Sequence, residues 1–103
     1  MNNDGMPFDD ISMMALQATM VKAIAKHGHR TPLNQQIPDT DKLVILVEEV
    51  GEVATAMTYD RGNRDELVKE LLQTAAMALS WAQSLDTTRQ HTVLTGRWGP
   101  RNG

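Results

Sequence analysis

The sequence predicts a small all-α protein, an antiparallel helical bundle, on three observations. The chain has 103 residues, which is the length of one domain (1–103), and 41% of them are hydrophobic while only 4% are aromatic. Ala, Met, Leu and Val supply most of the apolar side chains, a mixture that favours helices over sheets. Apolar residues recur at helical spacing in three segments, and no window alternates as a strand does.

The first predicted helix runs from about Ile11 to His27. Asp9 or Asp10 is suited to cap its start, because a short polar side chain can accept a hydrogen bond from the first free N–H groups. Gly28 is suited to end it. Four apolar residues at helical spacing are expected to face the core: Met13, Leu16, Met20 and Ile24.

The second and third helices are predicted on either side of the short turn "DRGN". Asp39 or Thr40 is suited to cap the second helix, and Gly62 is suited to end it. Asn63, with Glu66 three residues on, forms the capping pattern of the third helix, which runs to about Leu85. The short turn predicts an antiparallel pair over about 41–85. The tail, 86–103, is expected to hold a short helix around "RQHTVL" and then a loose end.

Each helix of this pair carries two apolar stripes. The first stripe is expected to pack against the chain itself. On the second helix it comprises Leu43, Leu46, Val47, Val50, Val53, Ala54 and Met57, and on the third Leu67, Leu71, Ala75, Ala78, Leu79 and Ala82. The second face contains Ile45, Ala56 and Met77, and one further helix cannot cover both faces.

Composition excludes several classes of protein. A net charge of −3 argues against a nucleic-acid binder, which needs a basic face, and the absence of cysteine excludes disulfides and thiolate metal sites. The N-terminal "MNNDGMPFDD" is unlike a secretory signal. The longest uncharged run, 71–85, is shorter than the roughly 20 residues of a membrane span. We therefore expect a cytoplasmic protein with neither nucleic-acid nor membrane partners.

Three carboxylates, Glu48, Glu49 and Glu52, interrupt the most hydrophobic segment, "KLVILVEEVGEVATAM". No Lys or Arg occurs between Lys42 and Arg61 to balance them. Like charges among apolar side chains disfavour ionisation, and a divalent cation would compensate. On the third helix, oxygen ligands that could complete such a site are Glu70 and Gln73. An ordinary solvated acidic face is the alternative.

Other polar and aromatic residues allow two interpretations each. Trp81 is suited to packing or to stacking on a nucleobase. His27 and His29 suit a metal site or a plain surface loop. Glu66 is explained by capping and is not expected to be a ligand. The tail arginines suit a phosphate site or simple solvation; they are Arg89, Arg97 and Arg101.

The motif EEVGE (48–52), followed after seventeen residues by ELLQ (70–73), resembles the E-E-x-x-E and E-x-x-D pattern of the MazG-like, all-α nucleoside triphosphate pyrophosphohydrolases. The resemblance covers Lys42 to Leu85. Gln73 departs from the pattern, which usually has Asp there. An amide oxygen can ligate a cation but brings no charge, so Mg²⁺ affinity is expected to be lower.

The resemblance implies hydrolysis of a (deoxy)nucleoside triphosphate to the monophosphate and pyrophosphate, with Mg²⁺ or Mn²⁺ as cofactor. It also implies a four-helix-bundle core completed across a homodimer or homotetramer, with the face of Ile45, Ala56 and Met77 at the interface. Because Gln73 replaces the usual Asp, a catalytically inactive relative that binds nucleotide or a protein partner is the alternative. The implied metal ligands are Glu49, Glu52, Glu70 and, more weakly, Gln73. Glu48 would bind a further metal ion or orient the attacking water, and Lys69 and Trp81 are the candidate substrate contacts.

Overall fold

Three α-helices make up most of the structure, a computed structural model that describes residues 5–59 and 63–85. The helices are α1 (Asp10–His27), α2 (Asp39–Tyr59) and α3 (Arg64–Leu85), and a 3₁₀ turn (Gly28–Arg30) follows α1. The described residues contain no strand, which confirms the all-α prediction. None of the helices among them is long and apolar enough to cross a membrane. The predictions for Gly62 and for the tail lie outside the described residues.

Both ends of α1 are as predicted. The Asp9 carboxylate accepts a hydrogen bond from the Ser12 N–H at 2.7 Å and so caps the first turn. Gly28, at the other end, has a φ of 60°, a conformation that residues with a Cβ rarely adopt. At this residue the chain leaves the helix and enters the 3₁₀ turn.

The starts of α2 and α3 differ in how well the sequence predicts them. Asn63 caps α3 as predicted, because its side-chain oxygen accepts from the Glu66 N–H at 3.1 Å. α2 begins at Asp39, and the carbonyl of Pro38 accepts from the N–H groups of Asp41 and Lys42. The cap predicted at Asp39 or Thr40 is therefore late by one or two residues. At this helix start, the backbone carbonyl of Pro38 rather than a capping side chain accepts these hydrogen bonds.

α2 and α3 are antiparallel, with three hydrogen bonds joining the beginning of α2 and its preceding loop to the end of α3. Trp81 Nε1 donates to Asp39 at 3.0 Å, and Gln35 donates to the Ser84 carbonyl at 3.1 Å. Lys42 Nζ donates to the Ser84 hydroxyl at 2.7 Å, and Lys42 is only 2% exposed. α3 also packs against α1. The antiparallel pair predicted from the short turn is therefore present.

The prediction of which apolar stripe faces inward was mostly wrong, although Leu46, Val53 and Leu67 of the predicted core are half-buried. Ala56 and Met77, assigned to a partner interface, are buried within the chain, and Ile45 is half-buried. Val50, assigned to the core, is 53% exposed. Hydrophobic periodicity finds an apolar face but does not identify what covers it, and small residues such as Ala56 and Ala76 allow close helix packing. On α1 the prediction holds for Leu16 and Met20, which are half-buried, but Met13 and Ile24 are exposed.

The exposed stripes of α2 and α3 form a surface that we call the outer seam. Its members repeat at alternating spacings of four and three residues, the spacing of helices that pack in bundles. All of them are exposed and none is charged. The outer seam comprises Leu43, Val47, Val50, Ala54 and Met57 on α2, and Leu71, Ala75, Ala78, Ala82 and Leu85 on α3.

Candidate functional site

A cavity of about 1000 Å³ lies between the C-terminal half of α1, the 3₁₀ turn, α2 and α3. This volume is at the upper end of the range usual for small-molecule sites. One side of the cavity, which we call the acidic wall, contains all five residues that the sequence suggested as metal ligands or catalytic groups: Glu48, Glu49, Glu52, Glu70 and Gln73.

The helices bring these five side chains together for a simple reason. Glu48, Glu49 and Glu52 lie within about one turn of α2, and Glu70 and Gln73 lie within one turn of α3. Because the two helices are antiparallel and adjacent, the two turns border the same space. Glu48 and Glu52 are exposed at its edge, whereas Glu49 and Gln73 are half-buried. Glu70 is buried, at 7% exposure.

Two carboxylate oxygens of the acidic wall are buried without a hydrogen-bond partner. They are Oε1 of Glu49 and Oε1 of Glu70, one from each helix. A buried polar atom without a partner costs about 1–3 kcal/mol, and more when it is charged, so native structures rarely retain one without a reason. An ion or ligand that supplies the missing contact would be such a reason.

The environment also disfavours the ionised form of both carboxyl groups. Burial raises the pKa of Glu49, and the negative charges of Glu52 and Glu48 raise it further, while His27 acts in the opposite direction. The pKa of Glu70 is raised first by burial and then by a hydrogen bond with Glu66. The charges of Glu66 and Glu52 act in the same direction, and Lys69 opposes them. A cation between these groups would reverse both effects.

The acidic wall meets the chemical requirements of a hard divalent cation. Carboxylate and amide oxygens are the ligands that Mg²⁺ and Mn²⁺ prefer. As they stand in residues 5–59 and 63–85, no three His, Asp or Glu side chains converge as a ready-made metal site. The unpartnered oxygens of Glu49 and Glu70 are the two atoms of the acidic wall that lack a contact which a cation could supply.

The two candidate substrate contacts have different positions. Lys69 lines the cavity, and its ammonium group lies 3.6 Å from a Glu66 carboxylate oxygen. Trp81 does not line the cavity, because its indole N–H is bonded to Asp39 at the far end of the helix pair. This contact favours the packing role of Trp81 over base stacking. Glu66 does not line the cavity either, although it pairs with Lys69 and acts on Glu70.

The opposite side of the cavity is basic, which the sequence did not reveal. We call it the basic wall; it is formed by Lys22, Lys26, His27, His29 and Arg30. The two histidines were considered only as metal ligands or surface residues, and the other three were not considered. Lys22 and Lys26 are four residues apart and so share one face of α1. That spacing predicts a basic face on α1, but the sequence alone does not show that this face lies across a cavity from the acidic wall.

Comparison of the chain with protein family models, with curated proteins and with solved structures finds no match.

Proposed function

We propose that this protein is a divalent-metal-dependent nucleoside triphosphate pyrophosphohydrolase, which releases a nucleoside monophosphate and pyrophosphate. One observation carries the proposal: Glu49 and Glu70 line one cavity beside Glu48 and Glu52, and each has a buried carboxylate oxygen with no hydrogen-bond partner. Such an arrangement is unfavourable in the free chain and becomes favourable when a cation binds. The resemblance of EEVGE and ELLQ to the MazG-like motif supplies the substrate class.

The residues of the acidic wall then have distinct roles. Glu49, Glu52 and Glu70 would hold Mg²⁺ or Mn²⁺, with Gln73 as a neutral fourth ligand. Glu48, exposed at the edge, would hold a further ion or orient the attacking water. The metal would supply neutralisation of the triphosphate and activation of the water for attack. Lys69, which lines the cavity, would contact a phosphate oxygen, although Glu66 competes for its charge.

Gln73 favours a second candidate function. Its side chain lines the acidic wall where the MazG-like pattern has Asp, so the site lacks one negative charge. A site of this kind can bind a metal–nucleotide complex without holding the metal firmly enough for hydrolysis. The second candidate is therefore a nucleotide-binding protein that has lost the catalytic step.

We also propose that the active form is at least a homodimer. The outer seam is continuous, uncharged and exposed along both α2 and α3, and monomeric proteins rarely leave such a surface uncovered. Its four–three spacing suits packing against the same pair of helices from a second copy, which would give a four-helix bundle. The partner surface is thus the one that the sequence had assigned to the core.

The test of the proposed activity is phosphorus NMR of the protein with Mg²⁺ and a panel of ribo- and deoxyribonucleoside triphosphates. We expect pyrophosphate and a monophosphate from wild type. In Glu52→Gln we expect a fall in turnover of about a hundredfold or more, because replacing even a group behind a metal ligand costs about 10–100-fold. The fold should persist, since Glu52 is exposed.

Asp65→Asn is the matched control for the loss of one negative charge. Asp65 is exposed in the first turn of α3 and does not line the cavity, so turnover should be unchanged. Equal activity in Glu52→Gln and wild type would refute the proposed metal site. Silence of wild type across the whole panel, with nucleotide still bound, would favour the second candidate.

A further inference from the structure

We infer that the basic wall is the subsite for the terminal diphosphate of the substrate, the part that leaves as pyrophosphate. The identity of the whole ligand rests on the proposed function. The subsite itself rests on the placement, charge and pairing of residues in α1 and the 3₁₀ turn.

The local structure directs several positive groups to one place. Thr19, Lys22, Ala23 and Lys26 follow one another at spacings of three, one and three residues, so that they share a face of α1 that borders the cavity. The chain then changes direction at Gly28, whose φ is 60°. This change returns His29 and Arg30 to the same cavity.

The backbone next to Arg30 is well anchored, although its side chain is exposed. The two residues that follow it, Thr31 and Pro32, are among the most buried in the described chain. Arginine offers a planar set of donors that can hold two phosphate oxygens at once, and it stays charged at any physiological pH. An exposed arginine on an anchored segment of backbone is a suitable arrangement for a phosphate group.

None of the positive side chains of the basic wall forms an ion pair with another described residue. The ion pair found among the described residues joins Lys69 to Glu66, both on α3. Glu49 is close enough to His27 for the charge of His27 to lower the pKa of Glu49, yet no ion pair joins the acidic wall to the basic wall among the described residues. Two walls of opposite sign therefore face one space with their charges unneutralised.

A complex of a divalent cation with a polyphosphate complements both walls at once. The cation would meet the carboxylates, and the phosphate oxygens on its other side would meet the lysines and Arg30. A simple cation would leave the basic wall unneutralised, and a simple anion would be repelled by the acidic wall. A nucleic-acid strand is disfavoured for the same reason, and because the chain has a net charge of −3.

A purely structural role makes a different prediction. Lys26 and His27 lie in the last turn of α1, where positive charge stabilises the helix dipole. On that interpretation, neutral variants would lower thermal stability and leave ligand binding unchanged. Arg30 lies beyond the helix, so its loss should separate the two roles most clearly.

The experiment measures binding of inorganic pyrophosphate in the presence of Mg²⁺ by isothermal titration calorimetry. The proteins are wild type, Lys26→Gln, Arg30→Gln and the double variant. We expect the dissociation constant to rise about tenfold for each single variant and about a hundredfold for the double, since each removes one charge-assisted contact. Binding to wild type should also weaken with added salt more steeply than binding to the double variant.

Arg64→Gln is the matched control. Arg64 is exposed at the start of α3 and does not line the cavity, so its removal should leave pyrophosphate affinity unchanged. Equal affinity of wild type and the folded double variant would overturn the inference. So would an equal loss in Arg64→Gln, because it would show that net charge alone sets the affinity.

The same proteins separate this inference from the proposed function. If wild type hydrolyses nucleotides and the double variant binds pyrophosphate normally, the basic wall is refuted while the activity stands. If wild type hydrolyses no nucleotide but binds pyrophosphate more tightly than the double variant does, the subsite stands and the hydrolase proposal fails. Circular dichroism of each variant confirms that a change in affinity does not reflect unfolding.

Discussion

The cavity and the outer seam lie on opposite sides of the same two helices, and they differ in charge. The inward side of α2 and α3 presents Glu49, Glu70 and a buried Lys42 beside apolar residues such as Ala56 and Met77, whereas the outer seam consists only of apolar side chains. An isolated soluble chain normally buries apolar groups and exposes charged ones. In this molecule both rules are broken within a single helix pair.

The two exceptions have different physical explanations. An exposed apolar stripe lowers its free energy when another apolar surface covers it, at about 25 cal/mol per Å² of apolar surface. The free energy of buried like charges falls only when a group of opposite charge binds beside them. On the proposed function, a second copy of the chain would cover the outer seam, and a cation would neutralise the acidic wall. The difference between the two regions therefore points to two separate tests, one of self-association and one of metal binding.

The outer seam should be the more sensitive of the two regions to an introduced charge. Val50 is 53% exposed in the single chain but central in the proposed dimer interface. We expect Val50→Glu to raise the dimer dissociation constant by roughly a hundredfold or more, because burying an unpaired carboxylate costs roughly 3 kcal/mol. Analytical ultracentrifugation over a range of concentrations measures the change.

Val21→Glu is the matched control for this variant. Val21 lies on α1, outside the outer seam, and is 64% exposed. The substitution is chemically identical, so the dimer should persist. A monomeric wild type would contradict the proposed role of the outer seam, as would a dimer that tolerates Val50→Glu.

Sequence reasoning identified the helices and the acidic wall, but it did not identify which side of the α2–α3 pair faces inward. Caps such as Asp9 and Asn63 are local features, with partners only three residues away, so they can be predicted without knowledge of the fold. The grouping of Glu49 with Glu70 required only two antiparallel helices. The inward direction of Ala56 depends on the whole packing arrangement, which periodicity alone does not determine. The basic wall was missed because Arg30 reaches the cavity only through the change of direction at Gly28.

The smallest expected effect concerns Gly51, which lies between the outer seam and the acidic wall. A Cβ added there would meet no atom within 4 Å in the single chain. We expect Gly51→Ala to raise the free energy of unfolding by about 0.5–1 kcal/mol, since alanine favours the helix. Denaturant titration measures it. A loss of stability would show that a partner helix or a ligand approaches the backbone closely at this point.

The buried carboxylates determine how stability should vary with pH. The pKa of Glu49 and that of Glu70 are raised in the folded chain above the ordinary value of 4.5, so the folded state retains protons that the unfolded state has lost. In the absence of metal, stability contributed by these groups is therefore present below pH 4.5. It is lost as the pH rises through the raised pKa values. Glu70→Gln, with a neutral side chain of the same shape, should weaken this decline.

The measurement that tests the central claim most directly is the free energy of unfolding at pH 7, with and without Mg²⁺, for wild type and Glu70→Gln. We expect Mg²⁺ to stabilise wild type, by about 2.7 kcal/mol when it is present at a hundred times its dissociation constant. Glu70→Gln should be the more stable protein without metal and should respond much less to Mg²⁺. If wild type does not respond to Mg²⁺, or if both proteins respond equally, the acidic wall is not a metal site.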